Sequence, residues 1–185
     1  MSSDATSFTA DRRRLRTIAF AAEWLAVAGV AMVAGYVGYL IFMPGALALS
    51  LQRDVTGIVT WPNGFAFAAA ILLSLVPAAI FVVAMLAVRS LFRLFGRSAT
   101  IFHSDVPPLL RSLGLLAVTA AIAGVITRIA IPLLMTSANP PGQQQLILAI
   151  SSADITSLIL GLLLFAFALV MQEGIRLDED NRSIV

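Results

Sequence analysis

The chain has 185 residues, 59% hydrophobic and 12% charged, with a mean hydropathy of +0.96, a formal net charge of +2 and a pI of about 9.9. Soluble domains are about 45–50% apolar and about 25% charged, and disordered chains are poorer still in apolar residues, so both classes are excluded and a small integral membrane protein is left. With Cys at 0 and His at 1, disulfide frameworks and thiolate or multi-His metal sites are excluded, and no metal or other cofactor is expected.

Residues 1–10 are polar and read as a disordered N-terminus. The basic cluster Asp11-Arg12-Arg13-Arg14-Leu15-Arg16 follows. The first apolar run, 17–43, holds one charge, Glu23. The cluster is similar to the n-region of a signal peptide. The run exceeds the roughly 7–15 residues of an h-region, so a retained helix is expected. The second run, 65–88, is uncharged and contains Pro77, for which a hinge and static packing are both open readings. The third, 113–135, is interrupted by Arg128, and the fourth, 146–171, by Asp154. Each run meets the roughly 20 residues that span a hydrocarbon core of about 30 Å. Helices are then the realistic structure, because the alternation of an outer-membrane barrel is absent. The predicted fold is all-α: four transmembrane helices in one antiparallel bundle, with 172–185 as a tail. The connection Pro44–Gly64 carries apolar segments at Leu47–Leu51 and Ile58–Trp61 and is expected along the outer interface, anchored by Trp61. Asn139-Pro140-Pro141-Gly142 reads as a turn.

Orientation follows from the basic residues, all of which are Arg. Arg12, Arg13, Arg14, Arg16, Arg89, Arg93, Arg97, Arg111, Arg176 and Arg182 fall on one side, and Arg53 alone on the other. The positive-inside rule then puts both termini in the cytoplasm, in a bacterial inner membrane. The absence of Lys fits the codon composition of a GC-rich bacterium better than a specific need for guanidinium.

Ionisable residues within spans face the protein interior or a cavity. Arg128 lies about 25 Å along its helix from Arg111, and Asp154 about 28 Å from Glu173, at 1.5 Å per residue. The two therefore share a depth near the outer boundary, and a salt bridge between them is expected. Gly114, Ala117, Ala121, Gly124 and Arg128 form one small-residue stripe. Ser151, Asp154, Leu158, Gly161, Phe165 and Ala168 form a comparable one, of the kind that lets helices approach closely. A proton relay or ligand site is the functional reading of the pair. A structural pair that fixes register is the favoured one. Glu23 sits about 10 Å beyond Arg16 and is expected to pair with Arg89, Arg93 or Arg111. It has no second acid or His at a supporting spacing, so no catalytic residue is expected.

On the inner side, Phe92 and Phe95 extend the second helix as a basic stem, Gly96 is a helix stop, and Ser104 or Asp105 is a cap ahead of Pro107. The candidate partner face comprises Arg93, Phe102, His103, Glu173, Gly174, Leu177 and Glu179. Asp178, Glu179 and Asp180 of the tail either dock on the basic loop or meet a soluble partner, against the plainer reading of solvated loops. Gly96, Ile101, Phe102, Val106, Leu110, Arg111 and Gly114, with Glu173, Gly174, Leu177, Glu179 and Val185, resemble the motifs of an uncharacterised bacterial membrane family, domain of unknown function 2975. Pro107-Pro108 and Ser183 depart from its pattern. The resemblance implies four membrane helices, no established activity and a gene neighbour of the Cro-like regulator type.

The expected function is therefore non-enzymatic: sensing or regulation through a cytoplasmic regulatory protein, with a homo-oligomer as a further expectation. The alternative is a small transporter or channel subunit using Glu23, Arg128 and Asp154. A membrane enzyme is disfavoured because no nucleophile–base or metal constellation exists. Arg12–Arg16 are expected on anionic lipid headgroups, at about 1 kcal/mol per basic residue. Direct nucleic-acid binding is not expected, since no recognition helix is present.

Overall fold

Uninterrupted apolar runs leave the backbone one way to satisfy its polar groups away from water, the helical hydrogen-bond ladder. In the computed structural model these runs form four helices: α1 (Ser3–Phe42), α2 (Gly64–Arg97), α3 (Val106–Met135) and α4 (Ser152–Arg182). The structure describes residues 3–43, 45, 49–50, 55–97 and 104–182, with side chains described from residue 17 except at 41, 96, 97, 179, 181 and 182. No strand occurs among the described residues. The stretches Thr17–Leu40, Gly64–Phe95, Val106–Met135 and Ser152–Asp178 are long and apolar enough to cross a membrane.

Two boundaries differ from the sequence reading. α1 begins at Ser3, so the segment read as disordered is helical. Residues 3–16 contain neither Gly nor Pro, and nothing stops the helix propagating upstream from its apolar part. α4 begins at Ser152 rather than 146. Residues 143–151 carry no helical structure, and a cap at Ser151 sets the start. α2 continues through Pro77 to Arg97, as the stem expected beyond its span, one residue past the Gly96 stop. α3 starts at Val106 behind Asp105, with proline in its first turn. A proline there loses no helical hydrogen bond.

Among the described residues, contacts between helices join only successive pairs: α1 with α2, α2 with α3, and α3 with α4. The helices form an open row rather than a closed ring. Two apolar clusters hold its middle. At one end Val55, Ala70 and Met135 are buried together, with Phe67 and Ile131 against them. At the other, Leu91, Val106 and Leu113 are buried together, with Leu164 and Met171 of α4 against them.

The α3–α4 seam is made by the two small-residue stripes. A Cβ on Gly114 would stand 2.9 Å from the Gly161 carbonyl, and a Cβ on Gly161 would stand 2.8 Å from the Gly114 carbonyl. The helices touch backbone to backbone there, a separation only glycine permits. Further along, Arg128 meets Asp154, so residue numbers rise along α3 as they fall along α4.

Residues 55–63 run without helix from Val55, which is buried, to the start of α2. Trp61 is half-exposed and packs on Phe67, with ring centroids 5.7 Å apart. Leu47, Leu51 and Arg53 lie outside the described residues. Pro140–Gln143 forms a turn in which the Gln143 N–H donates to the Pro140 carbonyl, with Gly142 at φ +89°. Pro141 followed by a left-handed Gly142 is the pattern of a type II turn.

Candidate functional site

The intramembrane charges form two separate clusters. In the first, Arg128 Nη2 donates to Asp154 Oδ1 at 2.5 Å, and Arg128 Nε donates to the Gly124 carbonyl at 3.1 Å. The second donation, to the carbonyl one turn back on its own helix, aims the guanidinium at α4. Asp154 Oδ2 accepts the Ser151 N–H at 2.8 Å. The Asp154 side chain is 10% exposed and that of Arg128 36%. Both carboxylate oxygens are thus engaged.

Ser151 completes this arrangement. Its hydroxyl accepts the Ala153 N–H at 3.2 Å while its own N–H is taken by Asp154. This is a reciprocal cap, with Ser at N-cap and an acid at N3. The sequence reading missed Ser151 as a cap, although Ser-x-x-Asp ahead of an apolar run is its signature. Asp154 was read as a charge inside a span. It is also the third residue of a helix, where its negative charge suits the helix dipole.

In the second cluster, Glu23 Oε1 lies 3.2 Å from Arg89 Nε and 3.7 Å from Arg93 Nε. Arg89 and Arg93 stand four apart on α2 and present their guanidiniums from successive turns of one face. Arg111, the third partner expected for Glu23, sits elsewhere.

Arg111 lines a groove of about 510 Å³ between the start of α3 and the last turns of α4, together with Glu173 and Arg176. Gln172 and Ser104 add polar groups, and Leu169 an apolar wall. The site residues inferred from sequence are therefore distributed. Arg93 is bound to Glu23, Glu173 faces the groove, Gly174 is half-buried, and Leu177 is exposed. Phe102 and His103, like the side chains of Glu179 and of Arg12–Arg16, lie outside the described residues. Among the described residues, no group of three His, Cys, Asp or Glu could hold a metal ion.

A second missed residue is Asn139, 5% exposed. Its Oδ1 accepts the N–H groups of Val59 and Thr60 at 3.1 and 3.0 Å, and its Nδ2 donates to the carbonyls of Gly57 and Gln143 at 2.9 and 3.1 Å. One side-chain amide ties the α1–α2 connection to the α3–α4 connection. Nothing local in the sequence announces this, because three of its partners lie about 80 residues away.

Four apolar helices long enough to cross a membrane, with charges paired between them, define a multi-pass membrane protein. Within that class, residues 58–185 match the model of the family described as Protein of unknown function (DUF2975). The chain belongs to this family. The match spans α2, α3, α4 and the tail, the segments that carry the Arg128–Asp154 pair and the groove. No curated protein and no solved structure matches the chain.

Proposed function

We propose that this is a bacterial inner-membrane protein, an antiparallel bundle with both termini in the cytoplasm, that acts without catalysis by docking a cytoplasmic regulatory protein. One observation carries the reading: the helices outrun the hydrocarbon core toward the Arg-rich end. At 1.5 Å per residue, α1, α2 and α4 are about 60, 51 and 46 Å long against a core of about 30 Å. The excess comprises the residues of α1 before Thr17, the Arg93–Arg97 end of α2 and the tail of α4. Ten of the 12 Arg belong to that end, which supports a cytoplasmic placement. A helical platform with exposed Phe95, Leu177 and Asp178 is a surface for a protein partner. A helix-turn-helix regulator of the Cro-like type fits it. The uncovered faces of α1 and α4 also leave room for a second copy of the chain.

The chain contains no Cys, so topology is readable by single-cysteine labelling. Cys at Gln143 is expected to react with an impermeant reagent from the periplasm, and Cys at Gln172 only from the cytoplasm. Crosslinking in whole cells, followed by mass spectrometry, tests the partner. Capture of a soluble regulator by the full chain, lost when residues 177–185 are removed, is the expected result. Capture unchanged by the truncation sinks the tail-docking reading.

Transport through Glu23, Arg128 and Asp154 has less support. Each charge is engaged by a partner on a neighbouring helix, and the two clusters lie at opposite ends of the row. Flux in liposomes abolished by Asp154→Asn would reinstate it.

A further inference from the structure

The groove between α3 and α4 is used by neither ion-pair cluster. Arg111 and Arg176 enter it from facing helices, and Glu173 stands beside them. Among the described residues, none of these three has an ion-pair partner. Two exposed guanidiniums and one carboxylate thus line one concave surface, leaving a net positive charge that a bound anion would neutralise.

The depth of the groove narrows the anion. Arg111 is about 25 Å from Arg128, and Glu173 about 28 Å from Asp154, close to the thickness of a hydrocarbon core. If one end of the seam is at one membrane boundary, the groove is at the other, where lipid phosphates lie. Its walls match that level. Arg111, Arg176 and Gln172 are polar, while Leu169, 56% exposed, and Ala168 continue toward the apolar span. Helix-terminal amides contribute little, since Pro107 and Pro108 carry no N–H. Recognition therefore rests on the guanidiniums, whose planar forks fit two phosphate oxygens at once.

Glu173 narrows it further. A carboxylate beside the phosphate position disfavours a dianionic monoester and accepts a hydrogen bond from a hydroxyl. We propose that the groove holds the phosphodiester of an anionic glycerophospholipid with a hydroxyl-bearing headgroup, gripped by Arg111 and Arg176, with Glu173 taking the headgroup hydroxyl. Basic pockets between membrane helices are suited to such headgroups. The site is distinct from adsorption through Arg12–Arg16, and it needs only the membrane placement of the helices, not the partner docking.

Native mass spectrometry of the full chain in detergent, supplied with defined lipids, tests this. Phosphatidylglycerol is expected to stay bound where phosphatidylcholine of the same chains is lost. Arg111→Gln and Arg176→Gln are each expected to weaken retention about fivefold, the equivalent of about 1 kcal/mol per basic residue. Both side chains are exposed, so neither change disturbs the core. Replacing Arg12, Arg13, Arg14 and Arg16 with Gln removes the adsorbed lipid, and the losses of about fivefold caused by Arg111→Gln and Arg176→Gln are expected to persist in that background. Glu173→Gln is expected to erase the preference for phosphatidylglycerol over phosphatidic acid. Equal retention of phosphatidylcholine, or retention unaffected by both groove variants, overturns the proposal. So does full competition by soluble glycerophosphoglycerol at equal concentration, which would assign the groove to a soluble phosphodiester.

Discussion

Each oxygen of the Asp154 carboxylate has its own partner: Oδ1 takes Arg128 Nη2, and Oδ2 takes the Ser151 N–H. Asp154→Asn keeps an oxygen for the cap but turns an amide or neutral acceptor toward the guanidinium. Asp154→Ala loses the cap as well. The Ala variant is expected to be less stable than Asn by about 1 kcal/mol, the usual worth of a cap. Loss of the charged hydrogen bond accounts for about 2 kcal/mol in both. Unfolding by denaturing detergent, followed by circular dichroism, measures the two steps. Reversal at both positions, Arg128→Asp with Asp154→Arg, is expected to recover part of what either reversal loses, because it rebuilds the pair and not the cap. A double variant no better than the singles would mean the pair carries no coupling. The pair was legible from depth arithmetic together with the faces of the two small-residue stripes. The cap was equally legible in Ser-x-x-Asp, but the apolar residues 146–150 ahead of it mimic helix. Of Asn139 only the place in a turn was legible, not the clamp. Four hydrogen bonds converge on it, so Asn139→Ala is expected to cost on the order of 3 kcal/mol. It should also expose residues 55–63 to protease, and unchanged cleavage would deny the clamp.

At the scale of elements, α3 and α4 depend on a contact that only small residues allow. Gly114 and Gly161 present their carbonyls to each other's Cα, and Phe165 closes over Gly114. The spacing of both stripes was readable from sequence as a close-packing pattern. Their register was not, since a stripe does not say which of its glycines meets which across the seam. The groove at Arg111 and Arg176 depends on that register, so it was hidden too. Gly161→Leu is expected to force the helices apart. Its side chain would meet Val118 and the Gly114 carbonyl, both 2.8 Å from a Cβ placed there. Neither a backbone carbonyl nor a helix can yield that distance cheaply, and overpacking of this kind costs about 1–3 kcal/mol. Separation at this point also strains the Arg128–Asp154 pair further along. A disulfide between Cys introduced at Gly124 and at Asp154 would be confounded by the pair itself. The cleaner readout is unfolding of Gly161→Leu alone and combined with Asp154→Asn. The two losses are expected to be less than additive, because the first already weakens what the second removes. Strict additivity would mean that the seam and the pair act independently.

Across the whole molecule, the open row gives its helices unequal holds. α2 and α3 each have two neighbours, whereas α1 is packed on α2 alone and α4 on α3 alone, α4 through the backbone-to-backbone contact at Gly114 and Gly161. The contacts of α1 with α2 include Gly29 against Phe81 and Met85, and Glu23 bridging Arg89 and Arg93. Helices in lipid gain nothing from hiding apolar surface, so close packing and polar contacts must supply the association. Glu23 is the polar part of that seam, and its carboxylate is what holds two guanidiniums near each other on one face of α2. The matched family region starts at residue 58, beyond α1. α2–α4 are therefore expected to behave as one unit and α1 as a docked arm, which a split chain tests. A chain split between residues 43 and 55 and co-expressed as two pieces is expected to copurify in mild detergent. Glu23→Gln should lower the recovery of the α1 piece several-fold, and Glu23→Gln with Gly29→Leu should abolish it. The α2–α4 piece should keep its helical content throughout. Loss of that content when α1 is released would show instead that the row folds only as a whole.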